Sequence, residues 1–161
     1  MLTRITVLLL VPGAACAAEL SQACRPLVAA MERSLLADHN TETVRAGRTS
    51  RAVTVGGVNY IEVKGTWRKS PLTPKDSIAQ SRENLKNAKS FACSMLPDSV
   101  VSGVAVSNYA AQTITEDDTT DTTISVSKAT GQVVQVDNAF RNEKDAHHVT
   151  KYSYDGVKTP M

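Results

Sequence analysis

The chain reads as an α+β protein in which a curved antiparallel sheet of about seven strands carries two helices on one side. Two observations lead there. An apolar stripe at helical spacing opens each half of the chain, and behind each stripe come short β-prone runs cut by glycines and polar turns. A third, the lack of any linker or low-complexity stretch, makes residues 18–161 one domain.

Residues 1–17 stand apart from that fold as a secretion signal. Arg4 is the positive start, residues 5–11 the apolar run, Pro12-Gly13 the break, and Ala14-Ala15-Cys16-Ala17-Ala18 the small residues near the cut. Ala15-Cys16-Ala17 fits the A-x-A rule, which puts cleavage before Ala18. The rival reading lipidates Cys16 and tethers the protein, although Gly13 stands where a large aliphatic residue is usual. The apolar run is too short for a permanent membrane helix and no later segment exceeds it, so the sequence predicts a soluble periplasmic protein with no transmembrane segment.

The first helix is expected over residues 21–37. Leu20, Cys24, Leu27, Val28, Met31 and Leu35 form one apolar stripe, with Arg25, Glu32 and Arg33 off it. Pro26 belongs in a first turn, and Asp38-His39-Asn40-Thr41 are poor formers that end the helix. Strands are expected over 41–46, 51–55, 58–64 and 67–69, separated by Gly47, Gly56-Gly57 and Gly65-Thr66. Gly56-Gly57 signals a type I′ turn, which pairs Val55 with Val58 and Val53 with Tyr60. A Gly65-Thr66 turn then sets Trp67 opposite Lys64 on that same face, with Ile61 and Val63 on the other. A hairpin apolar on both faces needs cover on both sides, or a ligand on one.

The second helix is expected over 73–92. Thr73 caps it, Pro74 suits the first position, and Asp76 completes a capping box; Ile78, Leu85, Ala88 and Ala92 form its apolar stripe. Further strands are expected over 100–109 with an extension through 114, and over 122–128, 132–140 and 148–154. The order of helix, strands, helix, strands suggests a loose duplication.

Cys24 and Cys93 are the cysteines left after export, and no C-x-x-C pair is present. In an oxidising compartment the simple outcome is one disulfide between them, closing a loop of about 70 residues worth at most about 4 kcal/mol; the alternative is two buried thiols. The bridge would tie the exit of the second helix to the start of the first.

Composition excludes several functions. The formal net charge of the 161 residues is +2, and the signal removes only Arg4, so neither nucleic acid nor an anionic membrane is implied as a partner. His147-His148 would point to opposite faces of a strand, with His39 distant in sequence, and read as surface histidines rather than metal ligands. Glu116, Asp117, Asp118 and Asp121 lack calcium-loop spacing and read as a solvated turn. No G-x-S-x-G or S-x-x-K motif occurs, and Glu62 beside Tyr60 and Lys64 reads as a cross-strand ion pair. The expectation is a non-enzyme with no catalytic residues, metal or cofactor.

The helix cysteine Cys24, the hairpin Tyr60-Ile61-Glu62-Val63-Lys64-Gly65-Thr66-Trp67, the lead-in Ser70-Pro71-Leu72-Thr73-Pro74, Cys93, Ser127-Lys128-Ala129-Thr130-Gly131 and the closing Lys151-Tyr152-Ser153-Tyr154-Asp155-Gly156-Val157 span nearly all of the exported chain. Together they resemble uncharacterised bacterial periplasmic proteins that look like the LolA group of lipoprotein carriers. Where that group has a Trp-containing strand, this chain reads Ile124-Ser125-Val126-Ser127. The resemblance implies a half-barrel whose concave face is partly closed by helices and holds acyl chains. The expected function is binding or carrying a hydrophobic ligand, a lipid or acyl chain, with Val53, Val55, Val58, Tyr60 and Trp67 as lining. The competing expectation is an interaction module, such as an inhibitor, immunity protein or envelope-complex accessory. Its partner would be an envelope protein meeting the last strand, where Tyr152 and Tyr154 share a face.

Overall fold

In the computed structural model, which describes residues 21–142 and 147–160, helix α1 (Arg25–Leu36) starts where Pro26 allows, within the first turn. It buries Leu27, Ala30 and Ser34, the i, i+3, i+7 positions of one stripe. A serine in an apolar stripe must satisfy its hydroxyl. Ser34 Oγ donates to the Ala30 carbonyl at 2.8 Å and accepts from the backbone N–H of Val133 at 2.8 Å, which pins the helix to the sheet. The expected signal, residues 1–17 with Cys16 among them, lies outside the described residues.

Four strands follow: β1 (His39–Arg45), β2 (Arg48–Val55), β3 (Val58–Val63) and β4 (Thr66–Lys69). Helix α2 (Pro74–Asn87) has the capping box expected of Thr73 and Asp76. Then come β5 (Ser90–Val101), β6 (Val104–Ile114), β7 (Thr119–Ser127), β8 (Val133–Phe140) and β9 (His147–Ser153). The nine strands form one open antiparallel sheet in the order β4-β3-β2-β1-β9-β8-β7-β6-β5. Two meanders run in opposite directions from a seam at β1 and β9, each preceded by its helix, and β4 and β5 are the free edges.

The sheet therefore has nine strands where about seven were expected. The expected second helix runs five residues too far, because Ala88 and Ala92 extend its apolar stripe in sequence while the chain turns extended at Ala88 and enters β5 at Ser90. The expected strand over 100–109 is the end of one strand and the start of another. Ser102 and Gly103 both take positive φ (50° and 81°) and reverse the chain between β5 and β6. Cys93 thus sits on edge strand β5, not after a helix. Its disulfide with Cys24, with Cα atoms 5.3 Å apart, ties the start of α1 to that edge.

Leu27 and Ala30 meet Ala111, Ile124, Val126, Val133 and Val136 in the core, with Met31, Phe91, Cys93, Tyr109 and Tyr152 against it. Helix α2 lies beside α1 and is joined to it by Arg82 Nε and Glu32 Oε1 at 2.6 Å. That hydrogen bond holds the Glu32 carboxyl below its usual range.

Candidate functional site

Strand register decides which residues share the helix-covered face, because directly paired residues stand on the same side of a sheet. Core residue Ile124 pairs with Val136, Val136 with Thr150, Thr150 with Thr43 and Thr43 with Ser50. Two residues further along, Tyr152 pairs with Thr41, Thr41 with Ala52, and Ala52 with Ile61. The helix side of β3 therefore carries Ile61 and Val63, which remain 42% and 37% exposed.

The five residues expected to line a cavity all fall on the opposite, open face. Val55 pairs with Val58 and Val53 with Tyr60, as the Gly56-Gly57 turn (φ 57° and 75°) requires. Trp67 pairs with Glu62, not Lys64, because the positive-φ turn is Lys64-Gly65 (52° and 78°) and Val63 meets Thr66. The face assigned to Trp67 is unchanged by that shift of register. The resemblance implied a ligand between helices and sheet; this hairpin presents its aromatic residues away from the helices.

A pocket of about 290 Å³ opens on this face. Val53 and Trp67 line it, with Asn40, Glu42, Arg51, Lys151 and Ser153 around them from β1, β2 and β9. Val53 is buried, and Trp67 is half-buried. Val55, Val58 and Tyr60 are half-buried on the same face of the hairpin and do not line this pocket. Arg51 Nε lies 3.4 Å from Glu42, and its Nη1 lies 3.5 Å from Glu62, the cross-strand pairing expected of Glu62. A second pocket, about 500 Å³, lies where Val104 and Val134 approach the end of β9, and it shares Lys151, Tyr152 and Ser153 with the first. Sequence reasoning missed Lys151. Its place beside Trp67 depends on β9 joining β1, a contact between the two ends of the chain that no local pattern announces.

Of the remaining polar candidates, His147, Asp118 and Asp121 hold polar partners within the structure. His147 is exposed and pairs with Asp137 on one face of β9. His148, expected at the surface, is half-buried on the other, its ring tilted 54° against Phe140 with centres 4.9 Å apart and its Nε2 buried without a hydrogen-bond partner among the described residues. In the acidic turn, Asp118 accepts from the N–H groups of Thr119 and Asn142, while Asp121 pairs with Arg141 Nε at 2.9 Å and accepts from Gln112. The Arg141 hydrogen bond, then that from Gln112, holds Asp121 below the usual carboxylate range. Among the described residues no group of three or more His, Cys, Asp or Glu side chains could hold a metal ion, and no helix is long and apolar enough to cross a membrane.

A buried polar cluster on the helix side escaped sequence reasoning. His39 is buried, and its Nδ1–H donates to the Ala37 carbonyl at 2.8 Å. Its ring lies beside Tyr152 and Tyr154, with centres 5.5 and 6.1 Å away. Burial lowers the His39 pKa and raises that of Tyr152 to about 12. Thr54 donates to Asn59, whose amide donates to the Leu72 carbonyl, so the network ties β2 and β3 to the approach to α2. Of these groups Tyr152 and Tyr154 reach the lining of the described pockets, whereas His39, Thr54 and Asn59 do not.

No family model and no curated protein matches the chain. Three solved structures are similar in overall shape at low identity. LprF from Mycobacterium bovis is 8% identical, with 88% of this chain and 97% of that one covered at a TM-score of 0.48. The Mycobacterium tuberculosis lipoprotein LppX is 9% identical, with 83% and 98% covered at 0.48. MucB is 13% identical, with 85% of this chain and 60% of MucB covered at 0.49. Function is therefore read from the chain's own residues.

Proposed function

We propose that the chain is an exported, non-catalytic protein of LolA-like half-barrel type that binds or carries a hydrophobic ligand, a lipid or acyl chain, in the periplasm. In this reading residues 1–17 are the signal and residues 18–161 the single working domain. The observation that carries it is the pocket on the open face of the sheet, with Val53 at its base and Trp67 beside it. At about 290 Å³ it stands at the lower end of small-molecule sites and suits part of an acyl chain rather than a whole lipid. The half-buried Val55, Val58 and Tyr60 continue that surface along the hairpin. Trp67 is the chain's single tryptophan, so its emission reports on this site alone. Titration with fatty acids and phospholipids is expected to shift and saturate that emission; an unchanged spectrum across the panel would refute the reading.

A second reading, an envelope-complex accessory or inhibitor that binds a protein partner, is favoured by the free edge of β5. Met95 and Val100 are 67% and 69% exposed there. The last strand does not serve, because β9 is paired on both sides, Tyr152 packs against the core and the Tyr154 hydroxyl donates to the Val133 carbonyl at 2.7 Å.

A further inference from the structure

We propose that the ligand is a single-chain anionic amphiphile, with its head group held by Lys151 and its tail against Val53 and Trp67. This deepens the hydrophobic-ligand reading and rests on it. Lys151 stands where the two pockets of the open face meet, since it lines both. Register places it between Glu42 of β1 and Gln135 of β8. Glu42 is already engaged by Arg51 at 3.4 Å, and Gln135 carries no charge. Among the described residues Lys151 forms no ion pair.

The lining beside Trp67 thus holds two cations, Arg51 and Lys151, against one carboxylate, Glu42. Arg51 is shared between Glu42 and Glu62, which leaves Lys151 as the cation open to a ligand. Asp155 lines the second pocket and would repel an anion placed there. The arrangement therefore orients the ligand: charged end at Lys151, hydrocarbon toward Trp67. A lysine on a flexible stem suits a carboxylate or phosphate equally, since it acts as a point charge without a fixed fork.

The test compares dodecanoate with monolauroylglycerol, which has the same acyl chain and no charge. Each is titrated against Trp67 emission in the full exported chain and in its Lys151→Gln variant, below micelle-forming concentrations and at low salt. The wild type is expected to bind dodecanoate about fivefold more tightly, the scale of an exposed charge pair. Lys151→Gln is expected to abolish that preference while binding monolauroylglycerol as before. Dodecyl phosphate, run beside dodecanoate, distinguishes a phosphate head from a carboxylate. Equal affinity for charged and neutral probes in the wild type, or a variant that weakens both alike, overturns the assignment of Lys151. If no probe moves Trp67 emission in the wild type, the hydrophobic-ligand reading itself fails.

Discussion

Replacing Cys24 and Cys93 together by alanine removes a link between residues 69 positions apart, and the cost follows from that separation. For a closed loop of this length the chain-entropy argument gives about 4 kcal/mol at 25 °C, all of it from the unfolded chain's regained freedom. That loop contains α1, β1 to β4, α2 and the first residues of β5, so its release frees both helices and nearly half the sheet in the unfolded state. Alanine at position 24, which is fully buried, also leaves the volume of one sulfur unfilled beneath α1. The expected loss is about 3–4 kcal/mol, a large share of a small protein's stability. With urea slopes of about 1–3 kcal/mol/M, the unfolding midpoint falls by about 2 M. Trp67 fluorescence is a suitable probe, because β4 is the sheet edge farthest from Cys93 on β5 and reports global unfolding. Wild-type protein with its disulfide reduced should lose nearly as much as the double variant. A loss below about 1 kcal/mol in both would refute the entropic argument, and a loss in the variant alone would assign the effect to the side chains.

Ser34→Ala removes the acceptor for the buried Val133 N–H and is expected to cost about 1–3 kcal/mol, read by the same urea titration. A Ser34→Thr variant that keeps the hydroxyl should recover part of that loss. His39 supplies a pH dependence whose sign is fixed by burial. Its folded pKa lies below the unfolded value, so the unfolded chain takes up the proton first as pH falls. Its contribution is complete above the unfolded pKa of about 6.5 and is lost as pH drops toward the folded value. His39→Gln should flatten thermal-stability profiles in that window, and an unchanged slope would contradict the assignment.

The elements most legible in the sequence were those set by local chemistry. Thr73, Pro74 and Asp76 placed the start of α2 because capping depends on neighbours three residues apart, and Gly56-Gly57 set the β2–β3 register because few residue pairs take two positive φ values. Strand β5 was not legible. As an edge strand it has hydrogen-bonded neighbours on one side only, so it tolerates Pro97 and a bulge between Leu96 and Ser99, and its first residues continue a helical stripe. The Ser102-Gly103 dipeptide is a turn signal that could have divided the expected strand. The site was half legible for a similar reason. Alternation along the local β2–β3–β4 meander brought Val53 and Trp67 to one face, whereas the choice of face and the approach of Lys151 come from pairing between β1 and β9, more than 100 residues apart in sequence.

The central claim is that the open face holds a hydrophobic ligand, and its most direct test is native mass spectrometry of the protein released gently from the periplasm, with organic extraction of the same sample. The account predicts a reproducible adduct of lipid size that is lost on extraction and is diminished when Trp67 is replaced by a charged residue such as glutamate. A bare chain carrying its disulfide, with no extractable lipid and a protein recovered on crosslinking at β5, would contradict it.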